Sequence, residues 1–434
     1  MDISIGFWLL CLFLFLIAFS VPIAIAIAMS SLVIMCTILP TNVAFMTAGQ
    51  KIVTGIDSFS LLAIPFFILA GNIMNRGGIA SRLVQFAKIL VGRLPGALSH
   101  VNVLANMLFG SVSGSAVAAA AAVGKTLEPE LEKEGYDKSY STAVNVASCP
   151  AGLLIPPSNS LIVFSVVSGG TSIAALFIAG YVPGILMGLS CMVVAYIIAK
   201  RKGYKSSAVE LTLREKLTIT WRAIPSLGLV VVVIGGIIGG VFTATEGACI
   251  AVLYSFGLSL CYRTLGVKEL KTICVETAEI TGIMLFLIGA STIMSWAMAF
   301  TGLPSMISEW MLSISDNPII IFILMNIILL IVGMFMDLTP AVLIFTPIFM
   351  PIATQLGMHP IHFAMMMIFN LCIGIATPPV GTALFVGCSV SGARIESVIR
   401  SILPFCAVLI ATLLLITFVP AISLALPKAF GLIN

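Results

Sequence analysis

Two double prolines are the first feature of this sequence that suggests a binding site. Pro156-Pro157 and Pro378-Pro379 each stand near the middle of a long apolar segment. Proline removes a backbone N–H donor and clashes with the preceding helical turn, so two in succession break a helix. In hydrocarbon such a break persists only where it lines a cavity or is buried in protein. Each double proline therefore predicts free backbone carbonyls at membrane depth, with a plain structural kink as the alternative.

Small hydroxyl and amide side chains surround both breaks. Ser158, Asn159 and Ser160 follow the first break, and Thr377 and Thr382 flank the second. Hard cations prefer oxygen ligands, and unwound backbone carbonyls coordinate Na⁺ in transporters that contain broken helices. A helix that begins just after a break also directs the positive end of its dipole at any anionic group. The sequence thus predicts neighbouring sites for a cation and an anionic substrate.

Two further apolar stretches are interrupted by small and polar residues, at Gly110–Ser115 and at Gly333–Pro340. Gly110 and Gly114 form a G-x-x-x-G pattern, so close helix packing competes with a binding site as the explanation. The alternating serines of the first interruption favour a site. Asp337 is an isolated carboxylate deep in apolar sequence, which indicates a cation ligand or a proton carrier. A carboxylate exposed at the tip of a hairpin is the alternative.

Composition places these segments in a membrane. Of the 434 residues 60% are hydrophobic and 9% are charged, whereas a soluble domain has about 25% charged residues. A spanning helix needs about 20 apolar residues, so the length allows roughly 10 to 13 segments. The net charge of +4 needs no nucleic-acid partner, because basic cytoplasmic loops account for it. Ten apolar segments are predicted to cross the membrane: Ile5–Ser20, Val21–Leu39, Phe59–Met74, Ser139–Ser168, Ile173–Ala199, Ile224–Val241, Gly247–Tyr262, Ile280–Ala299, Ile361–Ser389 and Ile402–Leu426.

The positions of the basic residues predict how the chain threads the membrane, since Lys and Arg collect on the cytoplasmic side. If the interrupted stretches Ala97–Val123 and Pro318–Ile352 return to the side from which they enter, every basic cluster falls in the cytoplasm and both termini are periplasmic. If both are full crossings, the rule fails around them. The sequence therefore favours two re-entrant helical hairpins. The basic clusters are Arg76, Arg82, Lys88 and Arg93; Lys200, Arg201, Lys202 and Lys205; Arg263, Lys268 and Lys271; and Arg394 and Arg400.

The segment Arg76–Gly96 contains one of these clusters. Its apolar residues Ile79, Leu83, Phe86, Ile89 and Leu90 recur near one helical face, opposite the basic residues. This pattern predicts an amphipathic helix in the membrane interface, with a charged loop as the alternative.

Landmarks of the first half of the chain recur in the second. Gly333 follows Gly110 at almost the same separation in the sequence as Pro378 follows Pro156. The charge-based topology starts one half outside and the other inside, so the repeats are predicted to be inverted, as in many secondary transporters. The prediction is an all-α polytopic membrane protein. It divides into a first repeat, 1–199, with a hairpin at about 97–123 and a broken helix at about 139–168; a cytoplasmic basic linker, 200–222; and a second repeat, 223–434, with a hairpin at about 318–352 and a broken helix at about 361–389.

Five segments together resemble the large membrane subunit of tripartite ATP-independent periplasmic (TRAP) transporters, the DctM-like family. They are Gly110–Ala116, Ile155–Asn159, Gly333–Pro340, Thr377–Thr382 and Pro65–Asn72, and the resemblance covers essentially the whole chain. It implies an elevator-type, sodium-driven importer of an organic acid such as sialic acid or a C4-dicarboxylate, in a bacterial inner membrane. The implied partners are a periplasmic substrate-binding protein and a small four-helix membrane subunit. Because the sequence begins directly at the large subunit, the small subunit is expected to be a separate chain.

The resemblance also implies where the coupling ion binds. The two hairpin tips and the two Pro-Pro breaks would hold Na⁺ and border the substrate site. The implied sodium ligands are Ser111, Ser113, Gly114, Ser115, Pro156, Ser158, Asn159, Gly333, Asp337, Thr339, Thr377, Pro378, Gly381 and Thr382. The implied substrate contacts are Ser113, Ser158, Asn159, Asp337, Thr377 and Thr382.

Other functions make different predictions. A self-sufficient sodium/dicarboxylate carrier would work without a binding protein. An intramembrane enzyme or a receptor would need a nucleophile and base pair or a large extramembrane domain, and the sequence contains neither. Its ten cysteines are scattered and form no C-x-x-C pair. Glu246 has no counterpart in the first half, and it either pairs with a partner subunit or supports the structure locally.

Overall fold

The computed structural model describes residues 3–204, 212–315 and 317–433, and the regular structure in these ranges is helical. Residues 205–211 of the predicted linker, which include the basic residue Lys205, lie outside the described ranges. Eight of the described helices are long and apolar enough to span a membrane, or nine if one bent pair counts as a span. Helices satisfy every backbone hydrogen bond within the segment, as hydrocarbon requires. The predicted all-α polytopic membrane fold is confirmed.

The first helices include one that the apolar pattern missed. The segment after Pro40 is helical, although its polar residues prevented its prediction as an apolar crossing. Leu39 and the two prolines Pro22 and Pro40 separate the helices. The helices are α1 (Ile3–Ala18), α2 (Ile23–Ile38), α3 (Thr41–Ile56), α4 (Ala63–Arg76) after a short 3-10 turn (Phe59–Leu62), and α5 (Ile79–Val91).

Helix α5 is the predicted amphipathic helix rather than a charged loop. Ile79 and Leu83 are buried, whereas Leu90 is 57% exposed and does not belong to the packed face. Arg82 lies beside this face, and its guanidinium is 3.3 Å from the centroid of the Tyr262 ring. This cation–π contact and the buried face fix α5 against its neighbours.

The first predicted hairpin consists of α6 (Ala97–Ser113) and α7 (Ala116–Lys133). Gly114 stands at the turn with a φ of +61°, the left-handed region that glycine adopts without strain. Helix α7 continues past the predicted end at residue 123 to Lys133. Apolarity alone suggested the earlier end, but the charged residues that follow are good helix formers, and Lys88 of α5 forms an ion pair with Glu130.

The first predicted broken helix contains α8 (Lys138–Ser148), α9 (Ala151–Leu154) and α10 (Asn159–Val167). Its two parts meet at an angle of 51°. The break has a cis bond between Pro156 and Pro157, and both prolines are buried.

Long helices join the two halves of the chain. Helix α11 continues through Lys200 and ends at Lys202, and α12 begins at Leu213, so both ends of the predicted linker 200–222 are helical. The helices are α11 (Ile173–Lys202), α12 (Leu213–Ile238), α13 (Ala244–Cys261), α14 (Val267–Thr301) and α15 (Leu303–Ile314).

The second half repeats the order of hairpin and broken helix. Gly110 of α6 packs on Gly152 of α9, and in the second half Gly333 packs on Gly374. The bond between Pro378 and Pro379 is cis, like that of the first break. The inverted orientation of the two halves stays a prediction. The helices are α16 (Pro318–Phe335) and α17 (Leu338–Gln355), which form the second hairpin; α18 (Pro360–Gly374) and α19 (Thr382–Ser391), which flank the second break; and α20 (Ile395–Phe418) and α21 (Ala421–Ala429).

Glu246 has a local structural partner. Its carboxylate accepts hydrogen bonds from the backbone N–H of Thr243 at 2.8 Å and from the Thr243 hydroxyl at 2.9 Å, and that hydroxyl accepts from the N–H of Glu246. These bonds form a capping box, which satisfies free N–H groups at the start of α13.

Replacing this cap should affect stability and not transport. We expect Thr243→Ala to lower the thermal unfolding temperature modestly, because the first turn of α13 loses its N-cap. Thr212→Ala, which removes the matching capping box at the start of α12, should have a similar effect. Thermal unfolding in detergent and uptake assays on both variants test this. Loss of ion-dependent uptake by Thr243→Ala at unchanged stability would instead give the Thr243–Glu246 cap a role in transport.

Candidate functional site

A cavity of about 190 Å³ lies where the two hairpin tips meet the first break. Its wall comes from the α6–α7 turn, the start of α10, the α16–α17 turn, and parts of α4 and α14. The two halves of the chain therefore contribute to one site. The predicted site residues on the wall are Ser113, Gly114, Ser115, Asn159, Asp337 and Thr339, and Ser160 lies beside them.

The tip of the first hairpin lies against the start of α10. The Ser113 hydroxyl donates to the backbone carbonyl of Ser115 at 3.3 Å, and the Ser115 hydroxyl accepts from the N–H of Ala118 at 3.3 Å. A Cβ added at Gly114 would lie 3.3 Å from Nδ2 of Asn159. Only a residue without a side chain fits there comfortably, so Gly114 serves both the turn and this close approach.

Asn159 has an oxygen suited to a cation. The residue is 7% exposed and begins α10 directly after the break. Its Oδ1 is buried, and no described residue of the chain forms a hydrogen bond to it. Burying an amide oxygen without a partner costs free energy. A cation in the cavity would coordinate this oxygen and offset that cost.

Asp337 stands at the tip of the second hairpin, directly before α17. Its side chain is exposed and lies on the cavity wall. The Thr382 hydroxyl donates to its Oδ1 at 3.4 Å, which links the hairpin tip to the start of α19. The sequence left two alternatives for Asp337, exposure at a hairpin tip or a position in a binding site. In the structure Asp337 is exposed and also lies on the cavity wall.

Several predicted ligands have their side chains satisfied elsewhere. The Ser111 hydroxyl donates to the carbonyl of Leu108 at 2.9 Å, and the Thr377 hydroxyl donates to that of Ile373 at 2.6 Å. Ser158 is fully buried and donates to the carbonyl of Leu153. These bonds occupy the donors and turn the hydroxyls back toward their own segments. The predicted residues that do not line the cavity are Ser111, Pro156, Ser158, Gly333, Thr377, Pro378, Gly381 and Thr382.

The cavity wall also contains residues that were not predicted as ligands, although Asn72 ends a segment that carries the family resemblance. Asn72 and Asn75 on α4 and Met284 on α14 lie on it. The amide of Asn72 donates to the Thr277 hydroxyl at 3.0 Å, which joins α4 to α14. Asn72 and Asn75 are one helical turn apart on the same face, and this polar pair in apolar sequence was a signal for the site.

A second cavity, of about 370 Å³, lies between α3, α10, α14 and α17. Hydroxyl groups line much of it. They belong to Thr54, Ser58, Ser291, Thr292 and Ser295. No motif in the sequence predicted this cavity.

Comparison with known proteins agrees with the fold and identifies the family. The family described as tripartite ATP-independent periplasmic transporter, DctM component, matches residues 10–422. The chain belongs to this family of transporter subunits. It is thus a multi-pass membrane protein of the TRAP class and not an enzyme.

Individual relatives match along most of the chain. The protein YgiK of Salmonella typhimurium is 53% identical over 93% of this chain and 92% of its own length. The sialic acid TRAP transporter large permease protein SiaM of Vibrio cholerae is 37% identical, covering 91% and 92%. The C4-dicarboxylate TRAP transporter large permease protein DctM of Pseudomonas aeruginosa is 38% identical, covering 87% and 88%. The crystal structure of the YdaH transporter of Alcanivorax borkumensis has a similar fold, with a TM-score of 0.61 at 12% identity over 86% of this chain and 88% of that chain.

Proposed function

We propose that this chain is the large membrane subunit of a sodium-coupled importer of a small organic acid anion. The observation that supports this best is the cavity in which an acidic side chain and neutral oxygens from both halves meet. Asp337 contributes negative charge, and Ser113, Asn159 and Thr339 contribute uncharged oxygens. Such oxygens are the ligands that hard cations prefer.

The cavity can also hold an anion without a basic side chain. No lysine or arginine is among the described residues that line it. Helices α7, α10 and α17 begin at or next to its wall, at Ala116, Asn159 and Leu338. Their free N–H groups and the positive ends of their dipoles attract a carboxylate. A sodium ion bound beside the carboxylate would neutralise it further, and this couples the binding of ion and substrate.

Sodium entry can drive the cycle. Each charge that crosses at 100 mV supplies about 2.3 kcal/mol, so no ATP site is needed. We propose that the hairpins and broken helices form the moving body of an elevator built from inverted repeats. The second, hydroxyl-lined cavity borders the same α10, α14 and α17 and supports this proposal, since alternating access needs a route to each side of the membrane.

The relatives support a class of substrate and the kind of partners. Two of them are named for sialic acid and for C4-dicarboxylates, which supports a carboxylated metabolite for this chain. The word tripartite in the family's description supports two further components. We propose a periplasmic substrate-binding protein and a separate small four-helix membrane subunit, with the assembly in a bacterial inner membrane and both termini of this chain in the periplasm.

Transport by the reconstituted assembly tests the proposal. The chain and the small subunit encoded nearest to it are placed in proteoliposomes, and radiolabelled sialic acid or a C4-dicarboxylate is supplied with a candidate binding protein. We expect uptake only with an inward sodium gradient, and none with choline in place of sodium. Equal uptake without the binding protein would favour the self-sufficient carrier. Uptake that follows a proton gradient and ignores sodium would contradict sodium coupling.

A further inference from the structure

Arg82, on the amphipathic helix α5, is a cation without a carboxylate partner among the described residues. Its basic neighbours differ in this respect: Arg76, at the end of α4, forms an ion pair with Glu276 on α14, and Lys88 forms one with Glu130 on α7. Nη1 of Arg82 is buried, and no described residue accepts a hydrogen bond from it. Arginine stays charged in proteins. The described part of the chain therefore leaves this charge without a counter-ion.

The guanidinium of Arg82 stacks on a ring whose own hydroxyl is also unpaired. Its Cζ lies 3.3 Å from the centroid of the Tyr262 ring, at the end of α13. The Tyr262 hydroxyl is buried, and none of the residues in 3–204, 212–315 and 317–433 forms a hydrogen bond to it. A cation–π contact attracts the charge of arginine but accepts no N–H hydrogen bond from it in the plane of the guanidinium. The pair of side chains thus lacks an acceptor.

A serine hydroxyl of α13 faces the turn that leads into α5. Ser259 is 0% exposed, and its Oγ has no hydrogen-bond partner in the part of the chain that the structure describes. A Cβ added at Gly77, between α4 and α5, would lie 3.1 Å from this Oγ. Ser259 and Tyr262 are three residues apart and share a face of α13. Because a buried hydroxyl without a partner costs free energy, this junction favours a ligand that accepts hydrogen bonds.

The start of α5 adds backbone donors to the same junction. Gly78, the N-cap residue, has a φ of +69° and no side chain with which to cap the helix. The first N–H groups of α5 and the positive end of its dipole attract an anion. Arg82 is the fourth residue of α5, and the Cα–Cβ bond of a helical residue tilts toward the start of its helix. Guanidinium, hydroxyls and helix start together suit a phosphate group with several free oxygens.

The charge and exposure around the junction favour a lipid headgroup as the source of this phosphate. Arg82 and Tyr262 are both partly exposed, so a ligand can reach their side chains from outside the helices. Arg263, the next residue along the chain, is exposed and adds a second positive charge. Basic pockets between membrane helices bind anionic headgroups on the cytoplasmic side, where the sequence predicts this basic cluster to lie.

Apolar side chains beside the junction can contact the acyl chains of such a lipid. Helix α12 packs against both α5 and α13. Trp221 on α12 and Leu260 on α13 are exposed. Tryptophan is enriched at the level of the headgroups, where one side of the ring meets hydrocarbon and the other meets water. A soluble phosphate would make no use of this apolar surface.

We propose that Arg82, Ser259, Tyr262 and the start of α5 bind the phosphate of an anionic phospholipid. The bound headgroup supplies the acceptor that these donors lack and holds α5 against α13. Since Lys88 joins α5 to the first hairpin, the lipid fixes the helix that connects this hairpin to α4. The site does not depend on the coupling ion or on the transported substrate.

Native mass spectrometry of the full chain in detergent tests the site. The delipidated protein is titrated with phosphatidylglycerol, with phosphatidylcholine and with inorganic phosphate. We expect the first phosphatidylglycerol to bind about fivefold more tightly than phosphatidylcholine, the effect of one basic residue near an anionic surface. Equal affinity for the two lipids would contradict an anionic-lipid site. Displacement of phosphatidylglycerol by an equal concentration of inorganic phosphate would assign the site to a soluble phosphate instead.

Arg82→Gln is the direct variant, and Arg93→Gln is its matched control. Both remove one positive charge near α5, but Arg93 is exposed beyond the far end of the helix. Arg82→Gln should lower the affinity for phosphatidylglycerol about tenfold, the scale of one hydrogen bond to a charged group. It should also reduce the rise in thermal unfolding temperature that this lipid causes. The control should leave both quantities unchanged, and equal losses in the two variants would reduce the site to general charge attraction.

Tyr262→Phe separates a lipid site from a purely structural cation–π contact, and it replaces Arg82→Gln if that variant does not fold. The change keeps the ring beneath the guanidinium and removes only the unpaired hydroxyl. The affinity for phosphatidylglycerol should fall about threefold, while the unfolding temperature of the lipid-free protein stays the same. Ser259→Ala should behave in the same way. If both variants bind the lipid like the unmodified protein, Arg82 serves packing alone and the proposed site is wrong.

Discussion

Asp337→Asn is expected to abolish sodium-driven uptake while the protein still inserts and folds. The substitution removes one negative charge and keeps the size of the side chain. Because Asp337 is exposed at the hairpin tip, the neutral amide costs little in folding. The rate should fall on the order of a hundredfold or more, since loss of even an outer group of a metal site costs about 10 to 100-fold in affinity.

Uptake at several sodium concentrations measures the effect in proteoliposomes. Asp57→Asn is the matched control, because Asp57 is also exposed and lies outside both cavities. The control should transport like the unmodified protein, and both variants should elute as the same monodisperse species. If Asp337→Asn keeps its rate and its sodium dependence, Asp337 has no part in coupling.

Gly374→Val is expected to have the second largest effect, through packing. A Cβ at Gly374 would lie 2.5 Å from Cα of Gly333 and 2.9 Å from its carbonyl oxygen. Backbone atoms cannot move aside as the end of a side chain can, so α16 and α18 must separate. Overpacking typically lowers the free energy of unfolding by about 1–3 kcal/mol. Because this clash is with backbone atoms, we expect a loss at or above the upper end of that range. We expect little folded protein, and no uptake from what remains.

Gly257→Val on α13 is the control for this effect. It makes the same change inside an apolar helix, at a position where a Cβ would meet no heavy atom within 4 Å. Size-exclusion chromatography and thermal unfolding compare the two variants. Folded yield and uptake like those of Gly257→Val would mean that the close crossing of α16 and α18 is not required.

Local physics made much of the fold predictable. The double prolines interrupt helices wherever they occur, so both breaks could be placed from the sequence alone. Long apolar segments likewise predicted the membrane helices. Helix ends were harder to place, because α7 continues past its apolar stretch into charged residues that also favour a helix. Helix α3 was missed because its sequence contains polar residues that interrupt the apolar pattern.

Membership of the candidate site was less predictable, as two serines of the first hairpin illustrate. Ser111 and Ser113 are identical in type and separated only by Val112, yet Ser113 lies on the cavity wall and Ser111 bonds within α6. The difference arises because the helix ends at Ser113. A motif of alternating serines cannot distinguish a residue inside the last turn from one at its end.

Composition and local pattern were sufficient for the membrane class, the two breaks and the family resemblance, because each depends on overall composition or on residues close together in the chain. The re-entrant course of the two hairpins stays a prediction, since each helix of the second one is long and apolar enough to span a membrane. Only the packing of the helices places Asn159 and Asp337, which belong to different halves of the chain, on the wall of the same cavity. It also decided that Asn145 bonds to α7 whereas Met367 offers α17 only a sulfur. Hydrogen bonds between segments depend on which helix faces meet. That arrangement comes from the whole fold, so these hydrogen bonds became visible only in three dimensions.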